Sequence, residues 1–251
     1  MESTKFINLT EDNIATEHLS CIVRTTKLHP GVEAKRAWLK DRLKEGHVFR
    51  KLDVKEPVFI EYAPLENTWV PIVGDNYLYI YCLWVNGTCK GKGYGRELLN
   101  YAIDDARAKG KSGLCLLSSV KQKHWLTDQA FAKKFGFTKV DETAYGYELL
   151  ALSFDKTVPQ FTAEAKKGRI ESPELTIYFD EQCPFINQSI ETVKQYCLDH
   201  CVKYNFIKVE TLKDAKALPC VFNNFALFYK GCFETVNLLL DTKVLERLLK
   251  K

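Results

Sequence analysis

Residues 90–96, with the sequence KGKGYGR, place three glycines among cationic side chains, a composition suited to binding an anion. The glycines are Gly91, Gly93 and Gly95, and the other residues are Lys90, Lys92, Tyr94 and Arg96. A glycine has no Cβ atom to keep a ligand away from the backbone. A helix that begins here would add unpaired N–H groups and partial positive charge. The segment is therefore predicted to bind a phosphate or pyrophosphate group.

The elements on either side of this loop would position it. Tyr77–Val85 is a near-continuous apolar run, which is typical of a strand buried on both faces. After the loop, apolar residues recur with the spacing of an amphipathic helix, at Leu98, Leu99, Ala102, Ile103 and Ala106. Gly110 is placed to end that helix. The predicted order is strand, glycine loop, helix.

Several anion-binding loops share this order, and the residues that follow distinguish between them. A Walker-type loop ends in Gly-Lys-Ser/Thr, whereas this one continues Gly95-Arg96-Glu97. A dinucleotide-binding loop needs an acidic residue at the end of the next strand, and here the strand Gly113–Ser119 ends in two serines. A tight turn without a ligand remains an alternative.

Residues Lys90–Gly95 resemble the acyl-CoA signature of the GCN5-related N-acetyltransferases (GNAT), with lysine where glutamine or arginine is usual. Phe131–Phe137 resembles the later helix of that family, which ends in Gly-Phe. The resemblance covers residues 1–155. It implies an α/β (α+β) fold with a central mixed, mostly antiparallel sheet. It also implies that the loop amides hold the pyrophosphate of acetyl-CoA. The preceding strand, over Cys82–Val85, is then expected to splay from its neighbour and to pair with the pantetheine arm, through Leu83, Trp84 and Val85.

Acetyl transfer to an amine needs a base for the amine proton and stabilisation of the oxyanion, and an acid often protonates the leaving thiolate. The tyrosine that serves the family as acid would stand four residues before Gly136, where this chain has Ala132. Tyr94 and Tyr145 are alternatives for the acid. The candidates for the base are Glu61, Tyr62 and Asp75, with His124 as a further residue that could reach the site. We take Glu61 and Tyr94 as the catalytic candidates.

The C-terminal part has the predicted order β-α-β-α-β-β-α, which resembles the thioredoxin fold. Cys183 lies where that fold carries its redox motif, but Ile186 replaces the second cysteine, so dithiol chemistry is not expected. Because Pro184 suits the first position of a helix, Cys183 is predicted to lie at a helix start, as a possible reactive thiol. Cys197 and Cys201 are spaced for the buried side of that helix, and no metal site is expected.

Three segments follow from these patterns: a GNAT domain over 1–155, a linker over 156–172 and a thioredoxin-like domain over 173–251. This arrangement resembles the YoaP-type acetyltransferases of bacteria, through residues 74–85, the KGKGYG loop and residues 148–154. In the first domain, helices are predicted near Glu17–Arg24 and Val32–Glu45. Their position after the first strand resembles the acetyltransferase layout, which implies that they border the acceptor site.

The composition limits the partners. The chain has 251 residues, 36 basic and 32 acidic side chains and a formal net charge of +4, too even a balance to indicate nucleic acid or a membrane surface. Nine cysteines without a signal-peptide pattern favour reduced thiols in a cytoplasm. The sequence thus predicts a cytoplasmic, acetyl-CoA-dependent N-acetyltransferase acting on a small-molecule or peptide amine. The alternatives are a non-catalytic acyl-CoA-binding regulator and a thiol or redox sensor acting through Cys183.

Overall fold

The computed structural model describes residues 5–22 and 29–250, which divide into two compact units. The first contains the described residues of 1–28, together with 36–68 and 73–160. The second contains 29–35, 69–72 and the chain from 161 onwards. The domain boundaries expected from the sequence, at 155 and 172, remain predictions.

The elements of the N-terminal part, in chain order, are β1 (Phe6–Asn8), α1 (Pro30–Leu43), β2 (Val48–Leu52), β3 (Val58–Pro64), β4 (Ile72–Val73), β5 (Tyr77–Val85), α2 (Tyr94–Ala108), β6 (Gly113–Ser119), α3 (Gln129–Lys133), β7 (Thr138–Glu142), β8 (Tyr147–Ser153) and β9 (Gln160–Phe161). Seven strands form one sheet in the order β1-β2-β3-β5-β6-β8-β7. Strands β5 and β6 are parallel, and the other neighbouring pairs are antiparallel. The predicted mixed, mostly antiparallel sheet is confirmed.

Two predicted helices differ from the structure. The described residues of the segment Glu17–Arg24, 17–22, lie in bends and irregular backbone rather than in a helix, and its last two residues lie outside the described residues. The sequence also predicts a short helix over Thr127–Phe135, and the structure has the shorter α3 there, Gln129–Lys133. The left-handed residue Gly136, with φ of 90°, follows it closely and starts the return to β7.

Helix α2 packs on one face of the seven-stranded sheet. Its buried residues Leu98, Leu99, Ala102 and Ala106 share a hydrophobic cluster with apolar residues of β3, β5, β6 and β8. This buried stripe has the predicted helical spacing. The helix ends at Ala108, and Gly110 follows it with a φ of 62°, as the sequence indicated.

Strands β5 and β6 begin as neighbours and then separate. Their register joins Tyr77 to Gly113, and Tyr79 to Cys115 is the last pair between them in the described part of the chain. Both strands continue for several residues, and β5 remains paired with β3 as far as Val85. We call the resulting opening between the two strands the wedge. Because of it, the prediction that β5 is buried on both faces holds only for Tyr77–Tyr81, and Trp84 is exposed.

Strand β5 also contains a β-bulge beside the wedge. Glu61 of β3 pairs with Cys82 and the next residue of β3 pairs with Ile80, so Tyr81 is an extra residue in β5. A bulge changes which side chains face each side of the sheet. Ile80 packs in the cluster under α2 before the bulge, and Leu83 packs against it afterwards. Tyr81 and Cys82 therefore both face the opposite side of the sheet.

Gly113 is required where β6 begins. A Cβ atom there would lie 2.3 Å from the Leu152 carbonyl oxygen and 2.7 Å from the Tyr77 ring. We expect Gly113→Ala to destabilise the protein by about 3 kcal/mol, since neither backbone nor buried ring can move freely. Thermal or urea unfolding measures the loss. Gly146→Ala is the control, because it also lies at positive φ but has no heavy atom within 4 Å of its Cβ position. Equal losses in the two variants would contradict the steric explanation.

The second unit has its own sheet. Its elements are β10 (Leu175–Phe179), α4 (Ile186–Asp199), β11 (Tyr204–Lys208), α5 (Leu212–Lys216), β12 (Phe225–Tyr229), β13 (Cys232–Thr235) and α6 (Lys243–Leu249). The strand order is β11-β10-β12-β13, with β10 and β11 parallel and the other pairs antiparallel. A hairpin joins β12 to β13 and turns at Lys230-Gly231, where both residues have positive φ. The element order is the predicted β-α-β-α-β-β-α, and the thioredoxin-like assignment remains a prediction.

Candidate functional site

The wedge, the glycine loop and the start of α2 lie next to one another in the chain and in the sheet. Strand β5 leads out of the wedge at Val85, a short 3-10 turn over Gly87–Cys89 follows, and α2 begins at Tyr94. The loop therefore connects the open edge of β5 to a helix N-terminus. A chain-like ligand lying along that edge would bring its anionic end to the helix start.

The loop backbone is shaped by left-handed glycines. Gly91 has a φ of 77° and Gly93, the N-cap of α2, has a φ of 88°. The carbonyl of Gly93 accepts the N–H groups of Arg96 and Glu97, at 2.9 and 3.1 Å. The amides of Tyr94 and Gly95 precede these first helical bonds and so belong to the unpaired start of the helix. They supply donors for an anion.

The space around the loop fits a ligand that approaches the backbone closely. A Cβ atom built on Gly91 or Gly93 would meet no heavy atom within 4 Å, so their surroundings are open. Gly95 is packed differently, because its Cβ position lies 3.5 Å from Phe131 and 3.6 Å from Val85. Three cationic side chains of the loop are exposed: Lys90, Lys92 and Arg96.

Polar contacts hold α2 in place on the sheet. The buried Tyr62 hydroxyl donates to Asp105 Oδ2 at 2.8 Å, and Lys109 Nζ donates to the same oxygen at 2.7 Å. Burial, with the neighbouring Asp105 carboxylate, raises the pKa of Tyr62 well above its ordinary range. Tyr62 is therefore an anchoring donor rather than a base. Arg50, 3.8 Å from the ring centroid of Tyr101, adds a second contact to the helix.

The three strand residues predicted to border the pantetheine arm lie along the open half of β5. Leu83 and Val85 are half-buried against the cluster under α2, and Trp84 is 38% exposed. They lie beside the wedge, which is where residues that border a bound pantetheine arm are expected. Their contact with a ligand remains a prediction.

The structure places Glu61 in a buried ion-pairing geometry that the sequence did not indicate. Glu61 Oε1 lies 3.0 Å from His47 Nε2, and the two side chains are 0% and 2% exposed. Because Phe49 is the residue directly opposite Glu61, His47 reaches it diagonally across β2 and β3. A buried carboxylate requires such a partner, since an unpaired charge inside a protein is very costly.

Aromatic rings enclose this pair. The Tyr81 ring stacks on the His47 imidazole, with centroids 5.3 Å apart and planes inclined by 25°. The Trp38 indole meets the imidazole edge-on at 5.5 Å, and Tyr79 meets Tyr81 edge-on at 5.0 Å. Burial raises the pKa of Tyr79 well above its ordinary value, so its hydroxyl stays protonated. The pair thus lies on the bulge side of the sheet, beside Cys82 and the wedge.

Tyr94, the other catalytic candidate, lies on the opposite face from Glu61. It is the first residue of α2, is half-buried, and meets Phe6 edge-on at 6.2 Å. The structure therefore does not bring Tyr94 and Glu61 together on one face. Ala132, at the position of the family tyrosine, is fully buried in the cluster under α2.

The other residues considered for acid or base chemistry are distributed differently. Asp75 and His124 are exposed, and Tyr145 is half-buried with its ring 5.9 Å from that of Tyr147. His47 was missed because a single histidine at a strand start carries no motif. The sequence offered one indirect signal. The position of Glu61 within its strand predicts the face of the sheet on which it lies, and a partner could have been sought among the residues of neighbouring strands on that face.

Cys183 lies in the second unit, in the turn between β10 and α4, and is half-buried. Its carbonyl accepts the N–H of Ile186 at 3.1 Å. The expectation that Pro184 occupies the first helical position is wrong, because α4 begins at Ile186 with Phe185 as its N-cap. The prediction that Cys183 is reactive therefore loses the support of a position at a helix start.

The buried stripe expected on this helix is also shorter than predicted. Cys197 is buried, and burial raises the pKa of its thiol to about 11. Cys201 lies beyond the end of α4, is exposed, and has a positive φ of 53°. Among the described residues, no group of three or more His, Cys, Asp or Glu side chains could hold a metal ion. In that part of the chain, no helix is long and apolar enough to cross a membrane.

Two family models and one curated protein match this sequence. The Acetyltransferase (GNAT) family model matches residues 15–137, and the YoaP-like model matches residues 204–246. The chain is 35% identical over 232 residues to the Bacillus subtilis (strain 168) protein described as "Uncharacterized N-acetyltransferase YoaP", with 92% of each chain covered.

Solved structures give more distant similarities. A GNAT-family acetyltransferase from Desulfovibrio desulfuricans has a TM-score of 0.45 and 17% identity, covering 60% of this chain and 99% of its own. A GNAT-family acetyltransferase from Brucella melitensis, solved with acetyl-CoA, has a TM-score of 0.42 and 16% identity, covering 64% of this chain and 95% of its own.

Proposed function

Since this chain belongs to the GNAT family of acetyltransferases, as a YoaP-type member, we propose that it moves the acetyl group of acetyl-CoA to an amine of a small molecule or peptide. The observation that carries the proposal is the wedge leading into the glycine loop at the start of α2. The wedge offers strand β5 an unoccupied side for the pantetheine arm, and the loop offers amides and three cations for the pyrophosphate.

The proposed donor site fits the shape of the loop. Gly91 and Gly93 leave open the space that side chains would fill, and Lys90, Lys92 and Arg96 are exposed residues of the same loop. The GNAT family model and the 35% identical Bacillus subtilis protein described as an N-acetyltransferase support the same donor. Val85 and Trp84 would then border the pantetheine arm.

On the acceptor side, Glu61 is the proposed base. The amine nitrogen attacks the thioester carbonyl carbon, a C–N bond forms, and the C–S bond breaks to release CoA as a thiolate. Glu61 takes the proton that the nitrogen loses, directly or through one water molecule. The thiolate takes a proton from solvent and leaves as the CoA thiol. Tyr94 lies in the loop proposed for the pyrophosphate, on the other face of the sheet from Glu61, so it is not assigned this step.

The domain organisation is part of the proposal. We place the acetyltransferase in residues 1–155 and a thioredoxin-like domain in 173–251, joined by 156–172. The four-stranded order of β10–β13 supports a thioredoxin-like arrangement. Catalysis is assigned to the first of these domains, and we propose a cytoplasmic location.

The test is release of CoA thiol from acetyl-CoA in the presence of single amines. Spermidine, 2-phenylethylamine and the tripeptide Ala-Gly-Ala represent polyamines, aromatic amines and peptide N-termini. We expect amine-dependent thiol release from at least one of them, with the acetylated product seen by mass spectrometry. Acetyl-CoA binding with no turnover of any amine would instead favour a non-catalytic acyl-CoA-binding regulator.

A further inference from the structure

The His47–Glu61 pair is an expensive feature if its role is only structural. Both side chains are removed from water, and an imidazole nitrogen lies 3.0 Å from a carboxylate oxygen there. Replacing such a pair by packed apolar side chains is commonly neutral or stabilising. The surrounding rings of Trp38, Tyr79 and Tyr81 would accommodate apolar neighbours well. A purely structural role therefore does not explain why these two polar residues stand here.

The imidazole is held in a fixed orientation. Tyr81 stacks on one face of the ring and Trp38 meets it edge-on, so rotation of His47 would disturb both contacts. In this orientation Nε2 is directed at Glu61 Oε1. His47 thus fixes the position of one carboxylate oxygen, Oε1. The position of the other oxygen depends on the other neighbours of Glu61.

The pair also lies at the point where the reaction is proposed to occur. Glu61 pairs with Cys82, immediately after the bulge residue Tyr81, in the part of β5 that borders the wedge. Tyr81 belongs both to the bulge and to the enclosure of His47. The same residue therefore links the shape of the wedge to the orientation of the imidazole.

We propose that His47 is a positioning residue for acetyl transfer: its Nε2 holds the Glu61 carboxylate in the orientation from which Glu61 accepts the amine proton. This inference rests on the proposed function, and it adds a residue that acts through Glu61 rather than on the substrate. Misplacing a reacting group by about 1 Å can cost a factor of about a hundred in rate. The rate of transfer should therefore depend on the reach of the side chain at position 47.

Two amide variants test that dependence. His47→Gln places an N–H donor close to the position of Nε2, whereas His47→Asn carries the same amide group one methylene shorter. We expect His47→Gln to keep kcat within about tenfold of the natural protein and His47→Asn to lower it about a hundredfold. Both variants should leave the KM for acetyl-CoA unchanged. Melting temperatures show whether the two variants are equally folded.

The same two substitutions in a Glu61→Gln background separate positioning from general damage. If His47 acts through Glu61, the difference in kcat between the His47→Gln and His47→Asn proteins should disappear in that background. Equal kcat values for the two single variants, or the same ratio with and without the carboxylate, would overturn the inference. An inactive natural protein would instead refute the proposed function, and the inference would fall with it.

Discussion

Gly93→Glu is expected to abolish the stabilisation of the protein by acetyl-CoA. The natural protein should gain about 2.7 kcal/mol of unfolding free energy at a hundredfold excess of ligand over its Kd, seen as a rise in melting temperature. In the variant, a side chain would occupy the open space at the N-cap of α2, and its carboxylate would repel the pyrophosphate. The rise should therefore vanish.

The control for this variant lies at the other end of the same helix. Gly110 is also left-handed, with φ of 62°, and its Cβ position is also open. Gly110→Glu should thus incur a similar backbone cost while keeping the response to acetyl-CoA. If both variants responded like the natural protein, the loop would be a turn without this ligand. If neither responded, the loss would be one of folding.

Glu61→Gln is expected to lower kcat by a factor of about 10² to 10⁴, the usual contribution of a general base. The amide keeps the shape of the side chain and an oxygen for His47 Nε2, but it cannot accept the amine proton. The KM for acetyl-CoA and the thermal response to it should stay unchanged, since the loop proposed to bind the pyrophosphate is formed by other residues, Lys90–Arg96. Steady-state kinetics with the best amine of the panel measure both parameters.

Glu148→Gln is the matched control for that result. Glu148 is a nearly buried carboxylate of the same sheet, on β8, with Lys139 3.8 Å away. Its replacement should leave kcat within about twofold, because it lies in another strand pair. A Glu61→Gln enzyme as active as this control would mean that another group serves as the base.

The sequence predicted the donor side of the site better than the acceptor side. Glycines, cations and a 3.6-residue apolar period are local signals, and they sufficed for β5, the loop and α2 with boundaries close to those of the structure. The separation of β5 from its neighbour was expected only from the family resemblance, because local signals of this kind do not show it. The apolar run Tyr77–Val85 looks uniform, and only its neighbours in the sheet show that half of it is open.

The acceptor side depends on contacts between distant residues. His47 and Glu61 are fourteen positions apart and meet diagonally across two strands, so neither residue has a recognisable local pattern. The bulge at Tyr81 likewise appears only in the register between β3 and β5. The turn at Cys183–Phe185 shows the same limit, because proline suits a first helical position without requiring the helix to start there.

The early separation of β5 and β6 also has a mechanical consequence. The seven-stranded sheet consists of a four-stranded part and a three-stranded part joined by the three residue pairs from Tyr77–Gly113 to Tyr79–Cys115. Three residue pairs couple the two parts only weakly, so unfolding of one part has little effect on the other. The unpaired edges of β5 and β6 beyond these pairs can open locally. A ligand whose amide groups bridge these edges would act as a missing strand, and the two parts would then resist unfolding as one sheet.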